Sequence, residues 1–233
     1  MRPFHLTGFL VLAAWQLAPV QVAPDSTGRL RLSVAAGAGR YEDATFDCNG
    51  NFVSAVPVEV RSAGARLDAM VDPSTRLTMY GGVHDADEGW GDGSGGFGGV
   101  QIAHEGRRIG IGAGAVKRGT PSGVFGPNFY LRLGDAERTH FRLEALPPTE
   151  TFYLTNVARI GMGFGQGNLR RTGGYVGVGW GPYAEQLSQG TAFADLDIPA
   201  AGNIDLLLRA QAGPGYEVFQ WGLAAGMRYH FPR

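Results

Sequence analysis

Apolar and polar residues alternate along most of this chain with a period of two, which places successive side chains on opposite faces of a strand. Residues 219–231 show it best. Phe219, Trp221, Leu223, Ala225, Met227, Tyr229 and Phe231 alternate with Gln220, Gly222, Ala224, Gly226, Arg228 and His230. Strands of soluble sheets also alternate, but they rarely crowd so many bulky apolar groups onto one face at a chain end.

The same period predicts strands over 28–40, 53–71, 76–84, 97–104, 108–116, 128–133, 139–145, 158–165, 174–180, 191–198 and 204–211 as well. In 53–71 the phase reverses. Val56, Val58 and Val60 share one face against Glu59 and Arg61, then Ala65, Leu67, Ala69 and Val71 continue that face against Arg66 and Asp68. A one-residue bulge near Ala63 and Gly64 would account for the reversal. Residues 128–133 and 139–145 form a hairpin about Gly134-Asp135-Ala136-Glu137. Asp72-Pro73-Ser74-Thr75 and His104-Glu105-Gly106 read as tight turns. Longer connections hold Asp43, Cys48 and Asn49, the acidic glycine run 85–96, residues 117–127, and 147–156, which should loop out.

The closing sequence GMRYHF resembles the terminal strand by which bacterial outer-membrane β-barrels are recognised for assembly, with Gly226, Tyr229 and Phe231 as the signal residues. Members of that family usually end on the aromatic, whereas Pro232 and Arg233 follow here. The resemblance implies an all-β fold: a closed antiparallel transmembrane up-and-down barrel. It also implies outer-membrane lipid and the barrel-assembly machinery as partners. The segments give about twelve strands near the roughly 9–11 residues a tilted strand needs to cross a bilayer. Such barrels have an even count with both ends on the periplasmic side. Parity therefore demands the weakly patterned 191–198, and merging a further pair leaves ten as the alternative. A secreted β-sandwich would alternate too. Against it stand the arginines on the polar faces and the aromatics near strand ends on the apolar face: Phe97, Phe129, Phe141, Trp180, Phe219, Trp221, Tyr229 and Phe231. Aromatics so placed form girdles at the membrane interfaces.

Composition narrows the picture. At 233 residues the chain has room for one barrel. Arg2 and His5, then the apolar run 6–17, read as a signal peptide over residues 1–24, leaving 25–233 as the barrel. The run is too short for a spanning helix, which needs about 20 residues. Its 38 glycines suit small inward or bulge positions. Net charge is −1, and the basic residues alternate into strands, so nucleic-acid binding has no basis. Cys48 is the lone cysteine, which excludes an internal disulfide.

With apolar residues outward, the lumen is lined by Arg132, Arg142, Glu144, Arg159, Asp205, Arg209 and Arg228, joined by Arg29, Arg31, Arg61, Arg66, Arg76, Arg108, Glu59, Asp68, Asp195, Asp197, His140 and His230. One reading is a rigid network of arginine–carboxylate pairs. The other is a porin-like narrow passage for small polar solutes, anion-leaning because arginines outnumber acids and partly hollow where glycines face inward. A non-conducting structural or surface-interaction barrel acting through its outer loops is the alternative function. Catalysis finds no constellation. Outer-membrane phospholipases and deacylases use a histidine and a serine close together on a strand, and no serine lies two residues from His84, His104, His140 or His230. Outer-membrane proteases use an Asp-x-His element, absent here, although His84-Asp85-Ala86-Asp87 resembles part of their acidic set. Asp85, Asp87, Glu88 and Asp92 supply oxygen ligands of the kind calcium takes, without EF-hand spacing. No cofactor or fixed metal is expected.

Overall fold

Twelve strands follow one another: β1 (Leu30–Phe46), β2 (Phe52–Asp72), β3 (Thr75–Ala86), β4 (Gly95–Glu105), β5 (Ile109–Arg118), β6 (Val124–Gly134), β7 (His140–Ala145), β8 (Ala158–Phe164), β9 (Gly173–Trp180), β10 (Thr191–Pro199), β11 (Ile204–Gly213) and β12 (Gln220–His230). The computed structural model describes residues 30–86, 94–118, 124–136, 138–150, 158–165, 172–180 and 190–232. Each strand pairs antiparallel with its chain neighbours, and β1 pairs with β12 to close a transmembrane barrel. The strand demanded by parity is β10, held by β9 and β11 along its length. The proposed signal peptide and Arg29 lie outside the described residues.

The alternation sorts side chains as the period requires. Outward residues are large, apolar and open: Ile102 is 58 % exposed and Leu223 59 %. Inward residues on the same strands are polar and covered, among them Ser33, Thr78, Gln101, Asn128, Arg132 and Glu144. Exposure of bulky aliphatics beside burial of charges inverts the arrangement of a soluble protein, and hydrocarbon outside the wall accounts for it. Short turns sit at the end holding both termini. Ser74 donates its N–H and hydroxyl to Asp72 Oδ1 at 2.8 and 2.9 Å. Gly202 closes another turn at φ +53°, a backbone state that glycine adopts without strain.

The phase reversal in 53–71 has a different cause from the predicted bulge. Register runs unbroken through Ala36↔Ala63 and Ala35↔Gly64 on one side and Gly64↔Gly82 on the other. The strand keeps its phase, so Val58 and Val60 point inward, 1 % and 3 % exposed, against Tyr41 and Ala86. Glu59 and Arg61 point outward into solvent, which corrects their assignment to the lumen. The reversal marks the height at which the outer wall passes from hydrocarbon to water. Aromatic Trp221 sits there, opposite Arg40, as an interfacial girdle predicts.

Above that height β1 and β2 pair only with each other, up to Phe46↔Phe52, so Asp43 belongs to a strand and not to a loop. With 17 and 21 residues they greatly exceed the bilayer requirement. At the tip Asp47 accepts from Asn49 N–H and Asn51 N–H, both at 2.8 Å. Hydrogen bonds from Asn51 hold its carboxyl below the usual carboxylate range. The 214–219 connection is tied to this ribbon. Glu42 accepts the backbone N–H groups of Tyr216, Glu217 and Val218, and Tyr216 stacks on Phe52 at 4.7 Å.

A charge at mid-height of the outer face separates the two environments. Leu208→Arg should destabilise the folded barrel by about 2–4 kcal/mol, whereas Glu59→Arg should leave stability nearly unchanged. Urea titration of the protein refolded in lipid vesicles checks both.

Candidate functional site

Inside the barrel the arginines and carboxylates form a chain along the wall. From β7 to β12 it runs Arg142, Glu144, Arg159, Asp195, Arg209, Asp197, Arg228. Arg142 Nε donates to Glu144 at 2.9 Å, and Arg159 lies 3.9 Å from Glu144 and 2.6 Å from Asp195. Arg209 lies 4.0 Å from Asp195 and 2.7 Å from Asp197, which also meets Arg228 at 2.6 Å. A second cluster sits at the lower mouth, where Glu105 on β4 receives Arg76 at 2.9 Å and Arg132 at 3.3 Å. Arg132 also donates to the carbonyls of Gly106 and Gly134, so it fastens two turns. Asp205 pairs with His230, and Arg66 with Asp68, which also accepts from Thr78 at 2.6 Å.

Aromatic rings separate the guanidiniums. Arg142 lies over Tyr130 at 5.2 Å and Tyr175 at 4.8 Å; Arg159 lies over Tyr175 at 5.1 Å and Phe193 at 3.8 Å. These are cation–π distances, strengthened by exclusion of water. Planar arginine can pair at its edge and stack on its face at once, which lysine cannot do.

Several inward glycines are covered by side chains of neighbouring strands. A Cβ at Gly110 would meet Glu105 Oε2 at 2.7 Å and Tyr130 Cε1 at 3.2 Å; one at Gly99 would meet the Tyr80 hydroxyl at 2.6 Å. At Gly163 the His140 ring fills the space. At Gly99, Gly110 and Gly163 the glycine gives a neighbouring strand's large side chain a bare backbone to lie on, whereas Gly161 and Gly177 face each other's backbone. Phe97 belongs to this lining: it faces inward with Tyr80 and Val116, not outward in the girdle.

In the 147–156 connection the described residues, 147–150, do not loop out. Leu146 adopts φ +48°, an uncommon left-handed state for a branched side chain, and turns the chain inward. Leu146 packs on Tyr80, Phe97 and Val116. Pro147, Pro148 and Glu150 are buried. Pro148 O accepts from Arg66 at 3.1 Å, Glu150 lies 4.0 Å from Arg228, and its carbonyl stands 2.6 Å from a Cβ placed on Gly64. Starting from β7, residues 146–150 thus reach β2 and β12, on the far side of the ring. Five extended residues span about 17 Å, enough for a strap across the bore.

All seven lumen residues expected from the sequence face inward, in the groupings above. Arg61 and Glu59 do not, and Arg108 lies in a turn. Inward arginines (Arg31, Arg66, Arg76, Arg132, Arg142, Arg159, Arg209, Arg228) are nearly matched by Asp68, Glu105, Glu144, Glu150, Asp195, Asp197 and Asp205 among the described residues, so the arginine excess largely vanishes. The lining rings Tyr130, Tyr175 and Phe193 were signalled by their phase, which they share with the polar face. Glu105 and Glu150 lay in a turn and a loop, beyond any periodic signal. In the acidic loop Asp85 accepts from Ser94 at 3.2 Å; Asp87, Glu88 and Asp92 lie outside the described residues. Of the assembly signal, Gly226 faces inward opposite Ala35, while Tyr229 and Phe231 meet edge to face outside at 4.9 Å.

An outer membrane channel from Pseudomonas putida F1 superposes over 88 % of this chain and 96 % of its own, with TM-score 0.53 and 12 % identity. The fold is that of an outer-membrane β-barrel. Two autotransporter barrels align more loosely: the translocator domain of NalP from Neisseria meningitidis (TM-score 0.41, 10 % identity, 97 % of each chain) and the beta domain of Bordetella BrkA (0.41, 13 %, 87 % of this chain and 99 % of that one). No protein-family model and no curated protein matches the chain.

Glu144 joins two arginines and is 2 % exposed. Glu144→Ala should therefore cost about 3–5 kcal/mol, because it leaves buried charge uncompensated. The temperature at which the folded band converts on semi-native electrophoresis should fall, and an unchanged transition would count against the network as a stabiliser.

Proposed function

We propose that this protein resides in a bacterial outer membrane, exported by the signal in residues 1–24, and forms a narrow channel for small polar solutes. The observation that carries this reading is the tangential lining. Each ion pair named above between strand residues joins strands no more than two places apart in the ring. Side chains that bond along the wall suit an axis open to water, with residues 146–150 crossing it. A twelve-strand ring lies between barrels filled by their side chains, at about eight strands, and open porins at about 16–18. A polar bore with a cross-strap suits ions and small hydrophilic molecules, with outer-membrane lipid around it. Insertion would proceed through the barrel-assembly machinery, reading Gly226, Tyr229 and Phe231.

The β1–β2 ribbon favours a second reading, in which the barrel is a closed pedestal for a surface contact. It stands clear of the rim, is fastened by Glu42, and leaves Val53 59 % exposed.

Planar-bilayer recording of the refolded protein decides between them. Stepwise currents are the expected result; none in any salt would leave the pedestal reading. Membrane fractionation checks location. The protein should stay with the membranes until detergent is added, and recovery as a soluble species would overturn the placement.

A further inference from the structure

We infer that Arg31 is an anion-binding group at the lower mouth of the barrel, placed to hold a small oxoanion such as a carboxylate or inorganic phosphate. The site goes beyond the channel reading, because it stands whether or not the barrel conducts. The other seven inward arginines each have a carboxylate within 3.3 Å. Arg31 is the exception: among the described residues its guanidinium makes no ion pair and no hydrogen bond. Two inward groups face it across the register, Asp68 on β2 and His230 on β12. Both are already engaged. Asp68 accepts from Arg66 through both oxygens, at 2.9 and 3.0 Å, and from Thr78 at 2.6 Å, while His230 bonds to Asp205.

The surroundings favour an anion. The charges that act on Arg31 are one carboxylate, Asp68, against three guanidiniums, Arg228, Arg76 and Arg66. Glu105, another carboxylate low in the lumen, already serves Arg76 and Arg132 together. A guanidinium whose fork is unoccupied offers paired N–H donors in the geometry that carboxylate and phosphate oxygens match. Water reaches the place. Arg31 is the lowest inward residue of the β1–β12 seam, one step above the bond from Phe231 N–H to Leu30 O. It is half-buried, and the side chains of His230 and Arg76 near it are 23 % and 22 % exposed. The strap crosses higher up, since Arg66 and Gly64, which it touches, pair with Ser33 and Ala35. On the channel reading, small oxoanions are therefore the solutes this mouth receives.

Inorganic phosphate is the probe. Added to the refolded protein in an uncharged, phosphate-free detergent at low salt, it should show a broadened phosphorus NMR line. Arg31→Gln should weaken this binding about fivefold, the factor for a unit charge about 4 Å from the anion in water. Arg31→Lys keeps the charge and should bind with an affinity between those of the native protein and Arg31→Gln. Neither change orphans a described partner, so both variants should keep the native folded band on semi-native electrophoresis. Equal binding by the native protein and Arg31→Gln, or no broadening with the native protein, would overturn the site. No current is read in this titration, so a barrel that fails to conduct removes the channel reading and leaves the Arg31 site to be decided here.

Discussion

Backbone hydrogen bonding in a medium without water is the constraint on which the rest depends. An open sheet edge inside hydrocarbon would strand its N–H and C=O groups at several kcal/mol each, so the sheet must close. Here closure is the β1–β12 seam, ten residues long in register from Arg31↔His230 to Arg40↔Trp221. It continues below, where Phe231 N–H donates to Leu30 O at 3.1 Å. Closing an up-and-down antiparallel sheet requires β1 and β12 to run in opposite directions, hence an even number of strands. The two faces then meet opposite solvents, which explains large open aliphatics outside and covered charges within.

The lumen follows from the same geometry. Arginines confined to a curved wall need partners within reach of one or two strands, and the register supplies both carboxylates and rings at those positions. Glycine on the adjoining strand is what lets a tyrosine or histidine lie flat. The pairing chain and the ring stack therefore reinforce each other: Tyr175 separates Arg142 from Arg159 while Glu144 bridges the same two groups. Buried charges so arranged tie neighbouring strands together around the wall.

Much of this was legible in the residues. All twelve segments emerged from alternation, and most inward positions came out right because a period of two leaves a single choice of face per strand. The reading of β2 failed for an instructive reason. Hydropathy reports which environment a side chain meets, and Val58 and Val60 meet a protein interior above the membrane, where the outside is water. Read as if hydrocarbon bounded the whole strand, the same residues imply a bulge. Phe97 misled in the same way, an aromatic that fills the lumen instead of marking an interface.

What the sequence determined by itself is the class of molecule: an alternating, evenly counted wall with a polar inside and an assembly signal at its end. These are properties of individual strands, carried by local periodicity. Only the tertiary structure decided that several inward glycines are covered by neighbouring side chains, that the inward charges nearly balance around the wall, and that residues 146–150 turn inward to set Glu150 against Arg228, 78 positions further along the chain. Those facts depend on which strands stand beside or opposite each other after the ring closes, and a contact across a bore leaves no period in the chain that makes it.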